Sequence, residues 1–336
     1  MIGRGAAIFG CKGPVLTAQE ADFFREYQPF GFIIFARNVE TPEQLRRLTH
    51  DLRDSVGRDA PILVDQEGGR VQRLRAPHWR EWATPLETVA KAGAGAARAM
   101  ALRSMIIAAE LRDVGIDANC APVADIAGPT THPFLLNRCY GQEAGIVTKV
   151  ARAVADAHLA MGVLPVVKHM PGHGRSVNDT HHDLPLVTID RATLEATDFA
   201  PFRALADLPM AMTAHIVFEA YDPANPATQS AEMIRVIRED IGFSGLLMTD
   251  DLNMQALAGS LSERTARAMA AGCDIALHCK GDFAEMQAVA RAAGDMTDDT
   301  RKRAGAALAR RQTPNSIDIA ALEAEFSALL GEPRHG

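Results

Sequence analysis

Eight short apolar runs punctuate the chain, with helix-like stretches between them, and this alternation restricts the fold to a parallel sheet covered by helices. The runs are AAIFG (Ala6–Gly10), GFIIF (Gly31–Phe35), PILVD (Pro61–Asp65), IDANCAPV (Ile116–Val123), VLPVVKH (Val163–His169), MAMTAHI (Met210–Ile216), GLLMTD (Gly245–Asp250) and CDIALHC (Cys273–Cys279). The intervening segments carry helix signals. In TPEQLRRLTHDL, Thr41 reads as N-cap, Pro42 as the first helical residue and Gln44 as the capping-box partner. Further helices are expected over Ala94–Val114, Glu143–Met161, Arg191–Ala206, Ala231–Asp240 and Ser262–Ala271. Eight strands with helices between them fit a (β/α)8 TIM barrel, with a doubly wound open sheet as the competing arrangement.

Polar residues at the strand ends favour the barrel, because barrel enzymes place their chemistry where strands meet the following loops. In order these ends are Arg37 and Asn38, Asp65, Asp125, Lys168 and His169, His215, Asp250 and Asp251, and His278. All are expected to converge on one face. The sequence predicts a single domain over residues 1–336, with the barrel at about 5–295 and helices at about 296–332 packed outside it.

Charge and cysteine content narrow the function. A formal charge of -7, from acids and bases scattered without a basic block, gives phosphate-mediated nucleic-acid binding little support. The five cysteines, Cys11, Cys120, Cys139, Cys273 and Cys279, form no CxxC pair, which argues against both a disulfide framework and a zinc knuckle. No stretch approaches the length of a membrane span, and the N-terminus lacks a secretory h-region. A soluble cytoplasmic protein acting on a small metabolite is expected.

Three segments carry candidate chemistry. DQEGGRVQRL begins with Asp65, turns through two glycines and brings in Arg70 and Arg73, donors suited to a ligand with hydroxyls and an anionic or amide group. The stretch from Val163 to Pro185 holds four of the eleven histidines. Lys168 and His169 close its strand, and Asp179 and His181 in the loop beyond are spaced for a carboxylate to orient an imidazole proton shuttle. His169, His173, His181 and His182 with Asp179 and Asp183 could also be assembled into a zinc site, but there is no HExxH, and Lys168 would set a positive charge beside the metal. No metal or cofactor is expected. In GLLMTDDLNM, neighbouring residues leaving a strand point different ways, so Asp250 is expected to face the cavity as a nucleophile and Asp251 to make structural hydrogen bonds. Trp79 and Trp82 can serve as an aromatic wall for a sugar or pack the barrel rim, with packing the favoured reading.

The segments VDQEGGRVQR, APVADI, KHMPGHG followed by DTH, and MTDDLNM resemble, in order over roughly residues 5–280, the signatures of glycoside hydrolase family 3, in particular its single-domain bacterial β-N-acetylhexosaminidases. The resemblance implies a TIM barrel and a retaining mechanism that removes terminal N-acetylglucosamine from cell-wall fragments during peptidoglycan recycling. Carried over by position, it implies Asp250 as nucleophile, His181 as acid/base and Asp179 as the residue orienting it. It implies sugar contacts from Asp65, Arg73, Lys168, His169 and, within LLNRCYG, Arg138. Met170 replaces the aromatic residue usual after the Lys-His pair, and NRCYG departs further from its counterparts than the other segments do. A phosphorylase using the same residues, a metal-dependent hydrolase and a catalytically silent sugar binder are the alternatives. The expected partner is a small carbohydrate, with no nucleic acid or membrane involved.

Overall fold

The computed structural model describes residues 2–176 and 184–331. Eight parallel strands form its centre: β1 (Gly5–Gly10), β2 (Pro29–Ile34), β3 (Ile62–Val64), β4 (Ala118–Asn119), β5 (Leu164–Met170), β6 (Met210–Thr213), β7 (Leu246–Met248) and β8 (Ala276–His278). The pairing order runs β7-β6-β5-β4-β3-β2-β1-β8. A parallel bridge between Met248 and Ile275, with Thr249 N–H donating to Ile275 O at 3.0 Å, joins the two ends. The expected (β/α)8 barrel is therefore the architecture.

Alternation of side chains builds two apolar layers. Ile8, Ile33, Leu63, Val166, Met212, Leu246 and Leu277 fill the interior. Phe9, Phe32, Ile34, Val64, Val167 and Leu247 face the helices. Each fully buried aliphatic or phenyl side chain contributes about 1.5–3 kcal/mol relative to exposure. Met296, Ala304 and Ala307 join the interior cluster, so helix Asp298–Leu308 closes the end of the barrel away from the strand C-termini. Asp274 anchors it, accepting from Arg303 at 2.7 Å, Thr300 at 3.0 Å and Arg238 at 2.6 Å. Helix Ile319–Leu329 lies against helix Ala96–Asp113, where Glu325 meets Arg98 at 2.6 Å. Among the described residues no helix is long and apolar enough to cross a membrane.

Several elements differ from their sequence-based bounds. The fourth strand is only Ala118–Asn119. Pro122 has no N–H for a ladder, and the Asn119 side chain takes over strand-like pairing, accepting from Gln66 N–H at 3.0 Å and donating to Gln66 O at 3.1 Å. The expected helix over 191–206 is two pieces, Arg191–Ala196 and Ala200–Ala204, because Pro201 cannot donate to the preceding turn. Thr41 and Pro42 start helix Pro42–Val56 as expected, but Gln44 Oε1 accepts from Glu40 N–H at 2.9 Å instead of closing a capping box. Helices Ala18–Tyr27 and Pro85–Ala92 have complete capping boxes, Thr17 with Glu20 and Thr84 with Glu87, that the sequence reading passed over.

Candidate active site

The strand C-termini surround a cleft lined by Asp65, Arg73, Arg138, Lys168, His169, His173, Asp250 and Asp251, with Phe35, Phe134 and Met254 among its apolar walls. Strand geometry decides who enters. Residues 65, 168 and 250 continue the inward rows of Leu63, Val166 and Met248, whereas His278 follows Ala276 outward and packs its ring edge on Phe9 at 6.1 Å. The expectation that every polar strand end converges is thus corrected. Arg37 donates to Cys11 O at 3.0 Å and also to Cys279 O, and Asn38 donates to Gly13 O at 2.8 Å; both brace the loop after β1.

A row of alternating charges crosses one wall. Arg73 donates to Asp65 Oδ2 at 2.9 Å, and Lys168 Nζ sits 2.8 Å from Asp65 Oδ1 and 2.6 Å from Glu67 Oε1. Arg138 then grips Glu67 through two bonds of 2.8 Å. Burial alone would raise the Asp65 and Glu67 carboxyls, but Lys168 with Arg73 hold Asp65 well below the usual carboxylate range, and Arg138 with Lys168 lower Glu67. Burial likewise opposes the charge on Lys168, yet Asp65 and Glu67 push its affinity for the proton upward. These ions are paired and desolvated, so their donor directions are fixed before any ligand arrives.

Glu67 is absent from the sequence-derived candidates, although it lies two residues past Asp65 in a short hairpin, Gln66–Gly68 with Val71–Gln72, and so shares its face. Its backbone is clamped from behind. The buried Arg103 donates to Glu67 O at 2.6 Å and Thr88 Oγ1 at 2.7 Å, with its guanidinium 5.4 Å from the Trp82 ring. Gly68, at φ +101°, is required there, since a Cβ would lie 1.6 Å from Arg103 Nη2. Trp79 and Trp82 are buried away from the cleft, Trp82 meeting Phe326 at 5.7 Å. Arg70 is exposed and lies over the Phe134 ring at 3.6 Å.

On the next wall Asp125 organises two histidines. Its Oδ2 is 2.7 Å from His169 Nδ1, and its Oδ1 accepts from His173 N–H at 2.7 Å. Arg138 Nη2 lies 3.3 Å from His169 Nε2. A guanidinium only donates, so in the neutral ring Nε2 accepts and the proton sits on Nδ1, facing Asp125. Burial, followed by His169, lowers His173 to about 4, leaving it a neutral ring in the cleft wall.

Asp250 faces the cleft with Oδ1 accepting Asp251 N–H at 2.7 Å. Burial would raise its carboxyl, but His215 and His169 in their protonated forms, with that N–H and Lys168, hold it below the usual range, so it is ionised at neutral pH without a separate base. Asp251 accepts from Asn253 N–H at 3.1 Å and Cys279 N–H at 3.2 Å, and burial raises it to about 6, with help from the charge of Asp250. The cleft can therefore hold a polyhydroxylated ring and present an anionic oxygen nucleophile. Asp65, Arg73, Arg138, Lys168, His169 and Asp250 are brought together; Asp179 and His181 lie outside the described residues, as do His182 and Asp183. Among the described residues no group of three or more His, Cys, Asp or Glu side chains could hold a metal ion, and all five cysteines are buried and unpaired.

The glycosyl hydrolase family 3 N-terminal domain matches residues 15–310. The chain belongs to glycoside hydrolase family 3. This family 3 chain is 38% identical over 283 residues to a β-hexosaminidase of Alkalilimnicola ehrlichii, covering 82% of this chain and 80% of that one. It is 36% identical over 279 residues to one from Methylococcus capsulatus, covering 81% and 82%. Native NagZ from Neisseria gonorrhoeae superposes with a TM-score of 0.81 at 29% identity, over 98% of this chain and 97% of its own. A structure of the same enzyme in complex with N-trifluoroacetyl-D-glucosamine aligns at TM-score 0.81 and 30% identity over the same shares. The family 3 chain is accordingly a glycoside hydrolase.

Proposed function

We propose that this hydrolase is a retaining exo-β-N-acetylglucosaminidase that removes terminal N-acetylglucosamine from peptidoglycan fragments in the cytoplasm. The observation that carries the reading is an ionised carboxylate, Asp250, facing a cleft whose other wall presents fixed cations and carboxylates suited to sugar hydroxyls. The names of the β-hexosaminidase relatives and the N-trifluoroacetyl-D-glucosamine complex of the Neisseria enzyme support the choice of sugar.

In this reading Asp250 attacks the anomeric carbon as the bond to the leaving oxygen breaks, and His181, oriented by Asp179, delivers the proton to that oxygen. Water then attacks the same carbon, His181 takes its proton, and the ester to Asp250 breaks. Asp65, Arg73, Arg138, Lys168 and His169 hold the ring. Buried polar groups left unpaired by a sugar lacking a hydroxyl penalise that sugar.

The test is incubation with 4-nitrophenyl N-acetyl-β-glucosaminide, with and without chelator and inorganic phosphate. The expected result is free N-acetylglucosamine at the same rate in every buffer. A sugar 1-phosphate product, or activity lost to chelator and restored by zinc, contradicts the reading.

A further inference from the structure

Beyond the end of β6 a buried row of hydrogen bonds leads to the residue that follows Asp250. Thr213 Oγ1 lies 2.8 Å from Thr228 Oγ1, Thr228 Oγ1 lies 2.8 Å from His215 Nδ1, and His215 Nε2 lies 3.0 Å from the carbonyl oxygen of Asp251. All three side chains are buried. The proton positions follow from the partners. A carbonyl oxygen only accepts, so His215 Nε2 carries a proton.

Burial lowers the tendency of His215 to take a second proton, which leaves Nδ1 as an acceptor needing a donor. Thr228 has one hydroxyl proton to give, and Ala214 O, at 3.0 Å, competes for it. Were that proton given to Ala214, the neutral ring would keep a buried nitrogen without a donor, at a cost of roughly 1–3 kcal/mol. The hydroxyl proton of Thr228 therefore points to His215, and Thr213 donates into the Thr228 oxygen. The row runs in one direction, from Thr213 through Thr228 and His215 to Asp251.

Asp251 is held at three points. Its N–H bonds Asp250 Oδ1 at 2.7 Å, its carboxylate accepts from Asn253 N–H and Cys279 N–H, and its carbonyl is taken by His215. The first of these contacts orients the Asp250 carboxylate directly, and the other two keep its donor in place. We propose that His215 is a positioning residue for reaction at Asp250, holding the backbone that aims the carboxylate, with Thr228 and Thr213 fixing the tautomer that lets it do so. The inference rests on the reading of Asp250 as the nucleophile. His215 does not line the cleft, so it leaves sugar contacts intact, and its hydrogen bond toward the reacting group is the one to the Asp251 carbonyl. Its contribution belongs in kcat, because a shift of the attacking oxygen of about 1 Å costs on the order of a hundredfold in rate.

The experiment compares Thr228→Val, His215→Phe and His215→Gln on 4-nitrophenyl N-acetyl-β-glucosaminide. Functional sites are counted by trapping with a fluorinated N-acetylglucosaminyl fluoride, and the labelled peptide is located by mass spectrometry. Thr228→Val, which keeps the shape of the side chain, should lower kcat per labelled site about tenfold, and His215→Phe about a hundredfold. KM and the inhibition constant of N-acetylglucosamine should stay within about twofold. His215→Gln, able to offer an N–H to the carbonyl, should recover part of the loss. Wild-type label on a residue other than Asp250 would overturn the nucleophile reading and this inference with it. Label on Asp250, combined with unchanged kcat in Thr228→Val or a loss carried in KM, overturns the positioning role alone. Should His215→Phe fail to fold, Thr228→Val decides.

Discussion

Single side chains in this molecule are defined by the charge beside them. Lys168 is buried between Asp65 and Glu67, so removing its ammonium leaves two desolvated carboxylates facing each other. Lys168→Met should cost about 3–5 kcal/mol in urea unfolding, and adding Glu67→Gln should return part of it. A Lys168→Met variant as stable as the parent would contradict the pairing. Asp251 gives a pH-dependent prediction. Its folded-state carboxyl is raised to about 6, so between about pH 4 and 6 the folded chain holds a proton that the unfolded chain has released. Stability from this group is thus lost as pH rises through that window. Asp251→Asn keeps an acceptor for Asn253 and Cys279 but has no charge to bury, so its Tm relative to the parent should climb from pH 4 to 6 and level off above. A difference independent of pH would refute the assigned shift. Asp250 and Lys168 were legible from the sequence because each ends an apolar run. Glu67 was not, because one glycine-rich hairpin, whose turn only the structure specifies, sets it behind Asp65.

Elements were legible to the extent that their signals were local. Thr41 and Pro42 mark a helix start that the structure reproduces, and the same logic applied to Thr84 and Glu87 would have found helix Pro85–Ala92. Strand lengths were less legible, since β4 pairs through a side chain and β7 and β8 are three residues each. Loop contacts are long-range and left no trace. Gly174, in the loop after β5, packs so tightly on the segment after β4 that a Cβ would come 1.8 Å from Ile126 O. That contact seats the loop beside Asp125 and His173. Gly174→Ala should destabilise by about 1–3 kcal/mol through overpacking and lower kcat/KM on the nitrophenyl substrate by displacing His173 and His169. Parent-like values for both would show that the two loops are free to separate.

At the scale of the whole molecule, the barrel turns scattered residues into one site. Asp65, Lys168 and Asp250 are far apart in sequence, yet each continues an inward row of its own strand, and a closed ring of parallel strands directs all three rows to one mouth. That convergence was legible by counting strands; the exclusion of Arg37 and His278 was not, because it depends on which parity each strand presents inward. The central claim is that Asp250 attacks the sugar carbon. Asp250→Gly removes the carboxylate and opens space for a small anion in its place, so the most direct measurement is turnover of 4-nitrophenyl N-acetyl-β-glucosaminide by Asp250→Gly with and without azide. The account predicts a loss of at least about 10⁴-fold without azide, partly restored by azide, with an α-N-acetylglucosaminyl azide as product. Turnover by the variant near the parent rate, or a β-configured azide product, would contradict it.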